Sequence, residues 1–149
     1  MGSDVMQAFQ KYAMAFEAGY ASGDWKGTVG PCLADDVLWT APGAPPPFGG
    51  VHHGHDAVLD QIRATTEAFD RRFDAREPRI VEGPTEIPGG IHMSWAVTYR
   101  RDGCPPLELL GEEWDFFHDG KLELHRERIW NLEESAAYLR KHEAKLHRR

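Results

Sequence analysis

The sequence predicts an α+β domain in which helices precede an antiparallel sheet and a last helix closes the chain. Three observations carry this reading. Helical periodicity dominates the first half, period-two runs dominate the second, and nothing alternates in βαβ order. The 149 residues suffice for one domain with a true core. No internal repeat or linker divides them, so 1–149 is read as a single domain.

Val5 to Ala21 forms the opening helix, because Val5, Phe9, Tyr12, Phe16 and Tyr20 recur at steps of three and four and make one apolar face. Gly23-Asp24 breaks it, and Asp24 caps a short helix over Trp25 to Leu33. Val37 to Ala41 is a strand candidate. The loop Pro42 to Gly50 holds four prolines and cannot continue a central strand. A helix follows from about Asp56 to Phe69, with Val58, Ile62, Thr65 and Phe69 on one side.

Then the period changes. Arg79 to Glu82, Ile91 to Arg100, Leu107 to Phe117 and Leu122 to Trp130 read as strands, separated by Pro- and Gly-containing breaks. Asp119-Gly120 is a two-residue hairpin signal, since both residues tolerate positive φ. Asn131 with Glu134 forms a capping-box pattern for a final helix to about His147, acidic first and basic last, as the helix dipole prefers.

Composition narrows the function. Hydrophobic residues make up 41% and charged residues 28%, and 17 Lys plus Arg against 24 Asp plus Glu leave a formal charge of −7. That balance disfavours nucleic acid or an anionic membrane as partner. The basic end at Lys145, Arg148 and Arg149 reads as a solvated helix terminus. No apolar run approaches a spanning helix, and the N-terminus lacks the basic-then-apolar pattern of a signal peptide. Cys32 and Cys104 show no metal or disulfide spacing, which fits reduced thiols and a cytoplasmic protein. Met1-Gly2-Ser3 is the pattern a cloning vector leaves.

Continuous pairing back from the Asp119-Gly120 turn sets Phe117 opposite Leu122, Asp115 opposite Leu124 and Glu113 opposite Arg126. One face then carries Leu107, Leu109, Glu113, Asp115, Phe117, Leu122, Leu124, Arg126, Arg128 and Trp130. The other carries Leu110, Glu112, Trp114, Phe116, His118, Glu123, His125, Glu127 and Ile129. The first is expected to enclose a pocket. The second, through Leu110, Trp114, Phe116 and Ile129, is expected to pair with another copy as a homodimer. A slip of one residue would exchange the two sets.

Several words of the sequence, taken in order, carry a family resemblance: Gly23-Asp24-Trp25, Leu33-Ala34-Asp35-Asp36-Val37, Pro42-Gly43, Gly54-His55-Asp56-Ala57-Val58 and Asp119-Gly120-Lys121-Leu122. Across nearly its whole length the chain resembles SnoaL-like and steroid-isomerase-like members of the nuclear-transport-factor-2-like superfamily. The resemblance implies a cone-shaped sheet around a deep pocket for small organic molecules, and frequent dimerisation. It also implies what is missing. Ala41 stands where the isomerases place a general-base Asp, and Phe16 where they place an oxyanion-donating Tyr. Glu113 falls near their protonated carboxylic acid.

The candidate catalytic groups are Glu113, His53, Arg126 and Arg128. In an apolar cavity the Glu113 pKa rises and suits proton transfer; as a cross-strand partner of Arg126 it is a structural ion pair instead. Arg128 either orients an anionic or carbonyl-bearing ligand or reaches to solvent. His52, His53 and His55 carry imidazoles suited to proton transfer or metal binding, against solvated loop and helix-capping roles; no metal site is assigned. His92 and His125 read as surface or interface residues. Phe16, Tyr20, Trp39, Phe48, Trp95 and Trp130, with His52 and His55, are the candidate ligand-lining residues, and Phe48 on the Pro/Gly loop is the candidate lid. The expected function is cofactor-free acid–base chemistry (cyclisation, isomerisation, dehydration or hydrolysis) on a small cyclic or aromatic compound. The alternative is a non-catalytic ligand-binding or protein-interaction module of the same fold.

Overall fold

The protein is described by a computed structural model covering residues 3–45 and 47–147; the readings placed on Met1-Gly2 and Arg148-Arg149 lie outside the described residues. The helices are α1 (Asp4–Ser22), α2 (Trp25–Thr28), α3 (His55–Ala68) and α4 (Leu132–Leu146). The strands are β1 (Leu33–Thr40), β2 (Val51–His53), β3 (Ala75–Ile87), β4 (Gly90–Arg100), β5 (Leu107–His118) and β6 (Lys121–Ile129). They form one sheet in the order β2-β1-β6-β5-β4-β3, against which the helices pack in the α+β arrangement expected.

Local chemistry explains the element ends. Ser3 caps α1 by accepting from the Met6 N–H at 3.1 Å, and Gly23 ends it in the left-handed region at φ 78°. Asp24 caps α2 through the Gly27 N–H. Asp119 and Gly120 take φ of 50° and 76°, the tight turn their residue types favour. Asn131 departs from the capping-box expectation. Its Oδ1 accepts from the Leu110 N–H at 3.0 Å and its amide donates to the Glu108 carbonyl, so it ties α4 to β5 instead of capping α4 through its side chain.

Two strand expectations are revised. The sheet is mixed, because β1 pairs parallel with β6 while every other neighbouring pair is antiparallel. Strand β3 also runs far beyond Arg79–Glu82, carried by pairing with β4 along its length, with register shifts between Ile80 and Glu82 and between Glu82 and Thr85.

The larger correction lies in β6. Phe117 pairs with Leu122, but Phe116 pairs with Leu124. Glu123 is therefore an extra residue, a bulge, and every later residue of β6 changes face. Asp115 stands opposite His125, Trp114 opposite Arg126, Glu113 opposite Glu127 and Glu112 opposite Arg128. Continuous pairing from the turn was the wrong assumption. Leu124, Arg126, Arg128 and Trp130 lie on the outer face. His125 (2% exposed) and Ile129 (6% exposed) lie inside, so neither belongs to an outer interface.

The inner face and helices build two apolar clusters. One gathers Phe9, Tyr12, Trp25, Val37, Val58, Ile62 and Leu122. The other gathers Phe69, Phe73, Trp95, Val97, Tyr99, Leu107, Leu109 and Ile129, with Tyr138 and Leu139 of α4 against it. Each fully buried aliphatic or aromatic side chain contributes about 1.5–3 kcal/mol. Between the clusters the sheet and α1 leave a hollow. Gly111 of β5 helps shape it, because a Cβ there would lie 2.5 Å from Cζ2 of Trp95 and 2.6 Å from the Arg128 carbonyl oxygen. The missing side chain is the space the Trp95 ring occupies. Gly111→Ala is expected to destabilise the protein by about 1–3 kcal/mol through overpacking, read as a lower midpoint in urea denaturation.

Candidate functional site

The hollow is a cavity of about 430 Å³. Its walls are mainly apolar, from Phe9 and Phe16 of α1, Trp39 of β1, Phe48 of the Pro-rich loop, Ile62 of α3, and Met93, Trp95 and Val97 of β4. Into this wall project Tyr12, Glu113, His125 and Glu127, with Asp70, Tyr99 and Arg76 also lining the space. A few polar groups in an apolar concavity is the usual composition of a small-molecule site.

The ionisable cluster is a product of strand alternation. Glu113 and Asp115 are two apart on β5, and His125 and Glu127 two apart on β6, so all four point inward. His125 Nδ1 lies 2.6 Å from Asp115 Oδ1 and 3.5 Å from Glu113 Oε2, and His125 Nε2 lies 3.9 Å from Glu127 Oε1. Asp115 is fully buried. Trp39 stacks on the His125 ring at a centroid distance of 3.8 Å and 24° between planes, which fixes the imidazole's tilt.

Two buried atoms in the cluster lack hydrogen-bond partners: Asp115 Oδ2 and His125 Nε2. A proton on Glu113 can serve the first, and its protonation follows from its surroundings. Burial, then the Asp115 charge, holds Glu113 well above the usual carboxyl range. Burial pushes Asp115 up to about 7, opposed by its hydrogen bond with Glu113, and pushes Glu127 up to about 7, opposed by the His125 charge. The simplest arrangement is a chain in which neutral Glu113 donates to Asp115 and Asp115 accepts from His125 Nδ1–H. His125 Nε2 then faces Glu127 Oε1 at 3.9 Å. Tyr12 contributes a phenol whose pKa is raised by burial and then by Asp115, so it stays a neutral hydroxyl.

Carboxyl oxygens of Glu113 and Asp115 and an imidazole nitrogen of His125 lie within 4.8 Å of one another. These are donor types that a divalent ion accepts, although the short His125–Asp115 contact already engages Nδ1.

Of the sequence-predicted residues, the cavity gathers Glu113, Phe16, Trp39, Phe48 and Trp95. The others lie elsewhere. His53 is exposed on β2. His52 contacts the Gly49 carbonyl through Nε2 at 3.2 Å, and His55 opens α3 with Nε2 2.8 Å from the Gly30 carbonyl. The first is a contact within its own loop, and the second ties the start of α3 to the 3-10 turn before β1. Arg126 lies over Trp114 on the outer face, 5.7 Å from the ring centroid. Arg128 shares that face opposite Glu112, as does Trp130, whose Nε1 donates to Glu112 Oε2 at 2.7 Å. Tyr20 is sandwiched by Arg71 and Arg76, each 4.6 Å from its ring centroid.

His125, Asp115, Glu127 and Tyr12 were not singled out as site residues from sequence. A usable signal was present: Glu113-x-Asp115 and His125-x-Glu127 place ionisable groups at alternate positions on neighbouring strands. Phe16 does stand without a hydroxyl, but Tyr12, one helical turn earlier, supplies one.

No family model matches the sequence, and no curated protein pairs with it. Solved structures do match in fold. An NTF2-like protein of unknown function from Burkholderia pseudomallei is 22% identical, with 92% of this chain and 98% of the other covered at TM-score 0.69. A Jannaschia protein provisionally described as a SnoaL-like polyketide cyclase is 13% identical, covering 93% and 95% at TM-score 0.70. TerC, co-crystallised with polyporic acid, is 15% identical, covering 93% and 99% at TM-score 0.66. The chain therefore has the nuclear-transport-factor-2-like cone fold, shared with SnoaL-like proteins. Among the described residues no helix is long and apolar enough to cross a membrane.

The carboxyl groups set a pH dependence. Folded pKa values raised above the ordinary 3.8 and 4.5 to about 7 mean that the folded state binds more protons than the unfolded one. Their contribution to stability is complete below the ordinary values and is lost as pH rises through the folded ones. Urea denaturation across a pH series is expected to show unfolding free energy falling between pH 4.5 and about 7, with a shallower fall in Glu127→Gln.

Proposed function

We propose that the cavity binds a small, largely apolar cyclic or aromatic molecule and performs cofactor-free acid–base chemistry on it, by cyclisation, isomerisation, dehydration or hydrolysis. One observation carries the proposal: His125 Nε2 is buried, without a hydrogen-bond partner, in a ring that lines the cavity and is held from the other side by Asp115. An imidazole oriented by a carboxylate at one nitrogen and left unpartnered at the other, in a ring that faces the cavity, is the arrangement a general base requires. Glu127 stands near enough to Nε2 to exchange a proton through the ligand or a water. The Tyr12 phenol can donate to a carbonyl oxygen that gains charge. Proteins of this fold described as polyketide cyclases, and TerC with its ligand polyporic acid, support an organic ring compound as the ligand class.

The readout is proton exchange at carbon. With a bicyclic aromatic ketone such as tetralone in deuterated water, the wild-type protein is expected to accelerate exchange at the α-carbon, followed by NMR. His125→Asn is expected to reduce that rate by about 10²-fold or more while leaving ketone affinity within a few-fold. Binding without exchange in the wild-type protein would leave a ligand-binding module and reject the catalytic reading.

The outer face is proposed to pair with a second copy through Leu110, Trp114 and Phe116. These side chains are only partly covered within the chain, and Trp130 beside them is half exposed. Sedimentation is expected to give a dimer, and Trp114→Glu a monomer with the inner cavity intact.

A further inference from the structure

Asp70 is a buried carboxyl in the cavity wall that the His125 chemistry does not use. It follows α3 in a 3-10 turn, Asp70–Arg72, and is 9% exposed. The Tyr99 hydroxyl donates to its Oδ1 at 2.7 Å. That phenol cannot swing away, because Phe69 packs on its ring edge-to-face at 5.0 Å and Phe73 lies at 5.0 Å on another side. Asp70 and Tyr99 both line the cavity that His125 lines.

The two polar groups sit at different places along it. Met93 of β4 pairs with Glu113, and Tyr99 lies six residues further along the same strand, yet the side chains bring the two ends close enough for the Asp70 charge to raise the Glu127 pKa. The inward residues between them are Trp95 and Val97, with Leu109 and Ile129 from the neighbouring strands, apolar apart from the buried Trp95 Nε1–H, which has no hydrogen-bond partner. The cavity thus has a polar station, an apolar span and a second polar station.

The charges restrict what such a space accepts. The lining arginines have acidic partners: Arg76 binds both Glu17 carboxylate oxygens at 3.1 and 3.2 Å, and Arg79 pairs with Glu108. The His125 end holds three carboxyl groups. An anionic ligand therefore meets carboxylates and no uncommitted arginine in the lining, whereas a hydroxyl can donate to Asp70. Burial raises Asp70 to about 6, so above that pH it is an acceptor with one strong donor already in place.

We propose that Asp70, positioned by Tyr99, is a second ligand-binding station, and that the ligand is a neutral molecule with an apolar, ring-sized body carrying a hydrogen-bonding oxygen at each end. This rests on the cavity being a ligand site but not on His125 performing chemistry.

The test compares para-phenylphenol, with one terminal hydroxyl, and para,para′-biphenol, with one at each end, by titration calorimetry at a pH above the Asp70 transition. The wild-type protein is expected to bind biphenol about tenfold more tightly. Asp70→Asn is expected to remove most of that preference while para-phenylphenol affinity changes little. Equal affinities in the wild-type protein, a preference that survives in the variant, or an equal loss for both compounds would overturn the second station and leave the His125 reading standing. Failure of both compounds to bind would overturn the ligand site itself. Should the variant not fold, a crystal structure of the wild-type biphenol complex decides: a hydroxyl within hydrogen-bond distance of the Asp70 carboxylate supports the station, and any other placement overturns it.

Discussion

Between Leu122 and Leu124, β6 carries one residue more than the strand beside it, and a side-chain period of two turns every later position over. Without Glu123 as a bulge, His125 and Glu127 would face outward, and Arg126 and Arg128 would enter the hollow beside Glu113. A cationic cavity would result. With the bulge, the inner wall carries three carboxyl groups and one imidazole within a few ångströms, and the arginines lie on the opposite face. The irregularity is shared with the other neighbour: β1 also shifts register between its contacts with Leu122 and Leu124. One local distortion thus sets the electrostatic sign of the site.

Gathering these groups is costly. Isolated charges cannot be moved into an apolar wall cheaply, so the cluster lowers its charge by holding protons, and its pKa values rise. The same arrangement suits proton transfer, because a group poised between forms near neutral pH gives and takes protons with little penalty. The Trp39 stack and the Asp115 contact restrain the imidazole, and the aromatic wall limits competing water. Stability is given up in the interior where these ionisable groups gather.

Much of the architecture was legible in the chain. The α1 stripe from Val5 to Tyr20, the Asp24 cap, the Asp119-Gly120 hairpin and the break at the Pro-rich loop each follow from local rules, and each element stands within a few residues of its expected place. Glu113 and the aromatic walls at Phe16, Trp39, Phe48 and Trp95 were legible too, since they depend on strand alternation near the well-defined part of β5 or on one face of a helix. Strand β2 was hidden, being only Val51–His53 and formed by pairing with β1. The histidines around it were conspicuous in sequence, but His53 is exposed and His52 and His55 meet the backbone carbonyls of Gly49 and Gly30.

Helix periodicity, capping and turn chemistry depend on residues close in sequence, and those interactions alone commit this chain to its helices, its hairpin and the α+β order. Which histidine enters the hollow depends on how β6 registers against both neighbours. That is a property of pairing between distant segments: one unpaired residue changes it, and no local preference of Glu123 announces it. The second polar position, Asp70 with Tyr99, has the same origin. Twenty-nine positions separate the two residues, and only the closure of the sheet over α3 brings the phenol to the carboxylate.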